Sequence, residues 1–195
     1  MPPQPKITKS MVADAAFAIA RTEGWQQINA RSVSQRLGCS TQPVMYHFST
    51  MEELRRAVYQ KADEFHSTYL MKDCERNPSP MLEIGLRYIR FAANEPHLFQ
   101  FLFQSNAFSG KSLIDLVNAA ELKPLLEVLQ QTAGGGGEEA RQIFFHLFLT
   151  VHGYASLLAN HAMAYEEANA AKLLKQTFTG AVYALKEKKD EYIVP

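Results

Sequence analysis

Cysteine is scarce. Cys39 and Cys74 are the only two in 195 residues, too few for a disulfide framework, and this points to a reducing, cytoplasmic setting. The opening "MPPQPKITKS" has no apolar run, so no secretory leader is expected there. The least charged stretch, Gln142 to Tyr165, is long enough to span a bilayer. Its three histidines, Gln142, Thr150 and Asn160 would be costly in hydrocarbon, so it reads as a core helix and no membrane partner is expected. Period-two alternation is lacking, which argues against strands. Gly-x-Ser-x-Gly, His-Glu-x-x-His, the Glu-x-x-His pairs of a di-iron bundle and a dinucleotide loop are all missing, so neither an enzyme nor a cofactor is expected. "GGGG" at 134–137 is not followed by Gly-Lys-Ser/Thr and reads as a flexible turn. No two of the six histidines stand at i, i+4, so no metal site is expected, although a sensor using His146, His152 and His161 stays open as an alternative.

What is present is apolar and helical. Apolar residues make up 47% of the chain, enough that burial does not limit folding. Twenty basic residues balance twenty acidic ones, but unevenly along the chain. Residues 1–50 hold Lys6, Lys9, Arg21, Arg31 and Arg36 against Asp14 and Glu23, a surplus of three positive charges, and the remainder is acidic by the same amount. A basic head on an acidic body suits a polyanion partner. The chain divides into a head of residues 1–50 and a larger helical body of residues 51–195. The expected fold is all-α with about nine helices.

The starts and stops are explicit. Thr8 is placed to cap a first helix ending at Gly24, and Asn29 a second ending at Gly38. A third runs from about Thr41 to His47. Thr50 with Glu53 forms a capping-box pattern for a long fourth helix to about Met71. After "NPSP", Met81–Asn94 carries Leu82, Gly85, Leu86, Ile89 and Ala93 in one row and Ile84, Tyr88 and Phe91 in a second. Only Glu83, Arg87, Arg90 and Asn94 make a polar stripe, so this helix belongs in the middle of a bundle. Pro96 opens "HLFQFLFQ", "NAFSGKS" reads as a loop, and Pro124 begins or kinks the next helix. Two last helices are expected over Glu138–Met163 and about Glu166–Lys189.

The second and third helices have the spacing of a helix-turn-helix. Val33 and Leu37 face inward, Ser34 gives the small contact, Gly38 the left-handed turn, and Cys39 and Val44 the matching inward groups. Such a pair presents the first turns of its second helix to a DNA major groove. Gln42 is suited to a base edge and Thr41 to a base or a phosphate, with Tyr46 and His47 on the sugar-phosphate backbone. An ordinary packed helix pair has the same pattern, so a helical adaptor or a small-molecule-binding protein without DNA activity stays open.

The stretch "VADAAFAIARTEGWQQINARSVSQRLGCSTQPVMYHFSTMEEL" resembles the amino-terminal domain of tetracycline-repressor-like (TetR) regulators. The resemblance covers about residues 8–55. It rests on Ala15-Ala16, Gly24-Trp25, Asn29, Val33-Ser34, Gly38-Cys39-Ser40, Phe48 and Glu53-Leu54. "YIRFAANEPHLFQFLF" and "VHGYASLL" are similar to the ligand-binding domain of some members. The resemblance implies a homodimeric transcriptional regulator, most simply a repressor that leaves a palindromic operator when a small molecule binds. The implied DNA-facing set is Lys6, Lys9, Asn29, Arg31, Ser40, Thr41, Gln42, Pro43, Tyr46 and His47. Met45 and Met51 stand where the family usually has Tyr and Lys, which shifts backbone contacts toward Tyr46, Lys6 and Lys9.

Two further expectations concern the body. An apolar or aromatic effector is expected against Tyr88, Phe91, Phe103, His146 and Thr150. Dimerisation is expected through the two carboxy-terminal helices. The last would use Leu173, Leu174, Thr177, Phe178, Ala181 and Leu185, with Gly180 and Ala184 allowing close approach and Lys172, Lys175, Lys186 and Lys189 on the far side.

Overall fold

A computed structural model describes residues 7–72, 79–105 and 123–187. Lys6, Cys74, the "NAFSGKS" loop and Lys189 lie outside them. The described residues form nine α-helices and no strand. These are α1 Lys9–Glu23, α2 Ala30–Leu37, α3 Thr41–His47, α4 Met51–Met71, α5 Pro80–Asn94, α6 Pro96–Phe103, α7 Lys123–Ala133, α8 Gly137–Ala159 and α9 Glu167–Glu187. A 3₁₀ turn, Trp25–Gln27, joins α1 to α2 and had no counterpart in the sequence pattern. The chain forms two compact units, residues 1–69 with 94–110, and residues 70–93 with 111–195.

In the first unit the caps act as the residue types require. Thr8 accepts from Met11 N at 3.2 Å, and Gly24 ends α1 at φ 93°. Val12, Ala16, Ile19, Ile28, Val33, Val44 and Phe48 are buried together in the unit's core. The helix after Pro96 belongs to this unit, not to the body. Its Phe101 stacks on Trp25 at 5.6 Å and meets Tyr59 edge-on at 5.4 Å. Arg21 clamps Glu95 through one guanidinium edge, Nε donating to Oε2 at 2.8 Å and Nη2 to Oε1, a bidentate geometry that holds the guanidinium proton more firmly than usual.

In the second unit α8 packs between α7 and α9. Leu129, Ala133, Ala140, Ile143, Phe144 and Ala181 form the centre of that packing. α8 is the helix among the described residues that is long and apolar enough to cross a membrane by composition. Here it buries Ile143, Phe144, Val151, Ala155 and Leu158 in protein. It ends at Ala159, short of the expected Met163. Asn160 turns its amide back to the Ser156 carbonyl, and His161 takes φ 55°. The polar stripe of α5 is not simply solvated. Glu83 pairs with Arg87 at 2.7 Å, and Arg90 reaches Glu167 at 2.9 Å.

The expected dimer row on α9 is corrected. Leu174 and Ala181 are buried, and Phe178 and Leu185 pack against the unit's own core. The residues left outward are Leu173, Gly180, Tyr183 and Ala184. α8 adds Phe145, Leu149, Gly153 and Leu157 at strict i, i+4 spacing, all exposed.

Candidate nucleic-acid interface and effector cavity

The reading head is built from the turn between α2 and α3. Gly38 adopts φ 64°, ψ 32°, a left-handed conformation that glycine takes without a Cβ penalty. Gly38 N donates to the Gln35 carbonyl at 3.2 Å and Cys39 N to the Ser34 carbonyl at 3.0 Å. This pair of bonds is a Schellman closure, and it satisfies carbonyls that the helix end would leave open. Ser34 is buried, as the small contact residue should be, and Val44 is completely buried on the inner side of α3.

With Val44 inward, the opposite face of α3 is outward. Thr41, Gln42 and Met45 are exposed, and Tyr46 is 82% exposed. Ser40 precedes the helix without a side-chain capping bond. Pro43 lies in the first turn, where an N–H has no helical partner to lose. Arg31 is exposed on the first turn of α2 and forms no ion pair among the described residues.

Three expected DNA-facing residues are engaged within the protein. The Asn29 amide is a cap: Oδ1 accepts from Ser32 N at 2.9 Å and Nδ2 donates to the Gln27 carbonyl at 3.0 Å. His47 Nε2 lies 2.9 Å from the Ile7 carbonyl oxygen. Lys9 sits over the Phe48 ring at 4.7 Å and 3.3 Å from Glu53. Glu53 also accepts from Ser49 N at 3.0 Å, one residue before the reciprocal partner of the expected capping box, while its own N–H donates to Thr50 Oγ1 at 3.1 Å. Arg55 carries a role that sequence reasoning missed. Its guanidinium donates to the Ile28 carbonyl at 2.9 Å and so fixes the residue before the Asn29 cap. A contact spanning 27 positions leaves no local signal.

The second unit holds a cavity of about 420 Å³, within the usual range for small-molecule sites. Its walls are mainly leucine, phenylalanine, valine and methionine side chains. Among the expected effector residues, only Tyr88 lines it. Phe91 is buried in packing away from the cavity. Phe103 belongs to the first unit, edge-on to His66 at 5.1 Å. His146 is exposed, and Thr150 donates back to the His146 carbonyl at 3.0 Å, so neither faces the cavity. The Tyr88 hydroxyl lies 2.9 Å from His152 Nδ1. Burial lowers the proton affinity of His152 and raises that of the Tyr88 hydroxyl, which keeps both groups neutral. Among the described residues no three His, Cys, Asp or Glu side chains gather to hold a metal ion.

The fold recurs in a solved structure of a transcriptional regulator from Rhodococcus sp. Rha1. That structure has a TM-score of 0.51 and 20% identity, covering 91% of this chain and 97% of the other. No curated protein matches in sequence. The model of the tetracyclin repressor-like C-terminal domain matches residues 81–180, about half the chain and including the helices α5, α8 and most of α9 that border the cavity. With a helix-turn-helix ahead of that domain, the chain belongs to the tetracyclin repressor-like family of transcriptional regulators.

Proposed function

We propose that this regulator is a cytoplasmic repressor that binds a palindromic operator as a homodimer and leaves it when a small, largely apolar effector enters the cavity of the second unit. One observation carries the reading: α3 buries Val44 and turns Thr41, Gln42 and Tyr46 outward behind a closed Schellman turn. A short helix presented in this way matches the geometry for inserting side chains into a major groove. Gln42 is the base reader, since its amide pairs bidentately with adenine. Thr41, Ser40, Tyr46 and Arg31 serve the backbone and set the register. Lys6, Lys9, Pro43 and His47 complete the DNA-facing set, and Asn29 serves it indirectly by capping the start of α2.

The outward stripe of Phe145, Leu149, Gly153 and Leu157 on α8 with Leu173, Gly180 and Tyr183 on α9 supports a two-fold interface of four helices. A Cβ added at Gly153 or Gly180 meets nothing within 4 Å, so these positions are open for a second helix to approach closely. Release requires only that the effector bind better to a conformation unable to hold the operator. Selection of duplexes from a random pool by the purified protein tests the reading. Enrichment of an inverted repeat is expected; retention without sequence preference would overturn it.

A further inference from the structure

The polar groups around the cavity are unequally occupied. Tyr88 directs its hydroxyl to His152, and Thr132 donates to the Val128 carbonyl at 2.8 Å. Lys175 differs from both. Among the described residues it is the one charged side chain that lines the cavity, and no carboxylate lines it there. It forms no ion pair among the described residues. The periodicity of α9 put it on the far, solvated side, yet Leu174 and Phe178 beside it are both cavity walls. Lys175 both lines the cavity and is exposed to solvent, which puts it at the rim, where a lysine keeps its ammonium hydrated. An apolar chamber with a lone cation at its mouth disfavours a cationic ligand and provides a counter-charge for an anionic one.

We propose that the ligand of this cavity is a compact apolar monoanion, a carboxylate whose hydrocarbon part fills the chamber and whose head group pairs with Lys175 Nζ at the rim. The inference rests on reading the cavity as the effector site and adds the ligand's chemical class. A cavity of about 420 Å³ lies in the range of small-molecule sites, and a medium-length alkanoate or a bicyclic aromatic acid is of the size such sites take.

The test is calorimetry on the full chain without DNA, using three probes built on the same ten-carbon chain, the acid's carboxyl carbon included: decanoate, decanol and decyltrimethylammonium. Decanoate should bind about fivefold more tightly than decanol, the ratio expected for an ion pair in contact with solvent, and decyltrimethylammonium more weakly than either. Lys175→Gln should abolish the preference for the acid while leaving decanol unchanged. Lys175→Glu should reverse the order of the two charged probes. Because Lys175 is exposed, neither variant removes core packing. Equal binding of acid and alcohol, indifference of the order to both variants, or binding of none of the three would overturn the proposal. If decanoate binds as described and the selected operator is still held, the repressor reading fails and the ligand class stands.

Discussion

The Tyr88 hydroxyl and His152 Nδ1, 64 positions apart, meet at 2.9 Å and join the cavity wall on α5 to the middle of α8. Burial keeps the phenol protonated and the imidazole neutral, so the two share one neutral hydrogen bond whose direction follows the imidazole tautomer. Tyr88→Phe keeps the ring and deletes this bond. It should cost about 1 kcal/mol, because His152 is only half-buried and can turn to water. The urea midpoint measures this; an unchanged midpoint would mean that the pair contributes nothing to stability.

Acid should weaken the first unit through His66. This imidazole is buried on α4 against Phe103, and desolvation lowers its pKa from 6.5 to about 4. The unfolded ring takes up a proton near pH 6.5, whereas the folded one resists it. The unfolded state therefore binds more protons between those values, and stability falls as pH drops from 6.5 toward 4. The full loss is about 3 kcal/mol, at roughly 1.36 kcal/mol for each pH unit between the unfolded and folded pKa. His66→Met should flatten the pH dependence of the urea midpoint. An unaltered slope would assign it to other groups, of which His152 acts with the same sign.

Association should depend on the outward stripe rather than on the inner row of α9. Leu149→Glu and Leu157→Glu place a carboxylate at positions 45% and 51% exposed in one protomer. Each should leave the helical content of the monomer unchanged and halve the mass in light scattering at micromolar concentration. Leu174→Glu should instead unfold the unit, since Leu174 is 4% exposed. A dimer that survives both outer substitutions would place the interface elsewhere.

Base reading should be separable from backbone holding. Gln42→Ala should cost about 1–3 kcal/mol on the selected operator and relax its sequence preference. Arg31→Ala should weaken operator and scrambled duplex alike and reduce the salt slope by roughly one. Titrations on both duplexes across a salt series distinguish the two. Equal losses on both duplexes for Gln42→Ala would show that it does not read bases.

Helix ends were legible because their chemistry is local. Thr8, Asn29, Gly24 and Gly38 each act within five residues, and α3 and α4 fall at the expected limits. The inward side of α9 was not legible. Its apolar arc is wide, running from Leu173 past Leu174 to Val182 with Tyr183 beyond it, so periodicity allows two faces, and only packing against α8 selects Leu174 and Ala181 over Leu173 and Tyr183. The same limit explains the effector residues. Aromatic content marks burial, but a cavity is a gap between helices, and its location depends on which side chains fail to meet. Tyr88 met that condition; Phe91 did not.

Asn29 has a consequence for genetics. Both ends of its amide are used in closing the start of α2, and replacing such a cap with alanine typically costs about 1 kcal/mol. On the proposed repressor reading, an Asn29 variant and a Gln42 variant would look the same in a colony screen for derepression, the first by lowering the amount of folded regulator and the second by blunting its proposed contact with the bases. Only the soluble protein level tells them apart, so a phenotype map of α2 and α3 made without that measurement would draw the DNA contact surface too large.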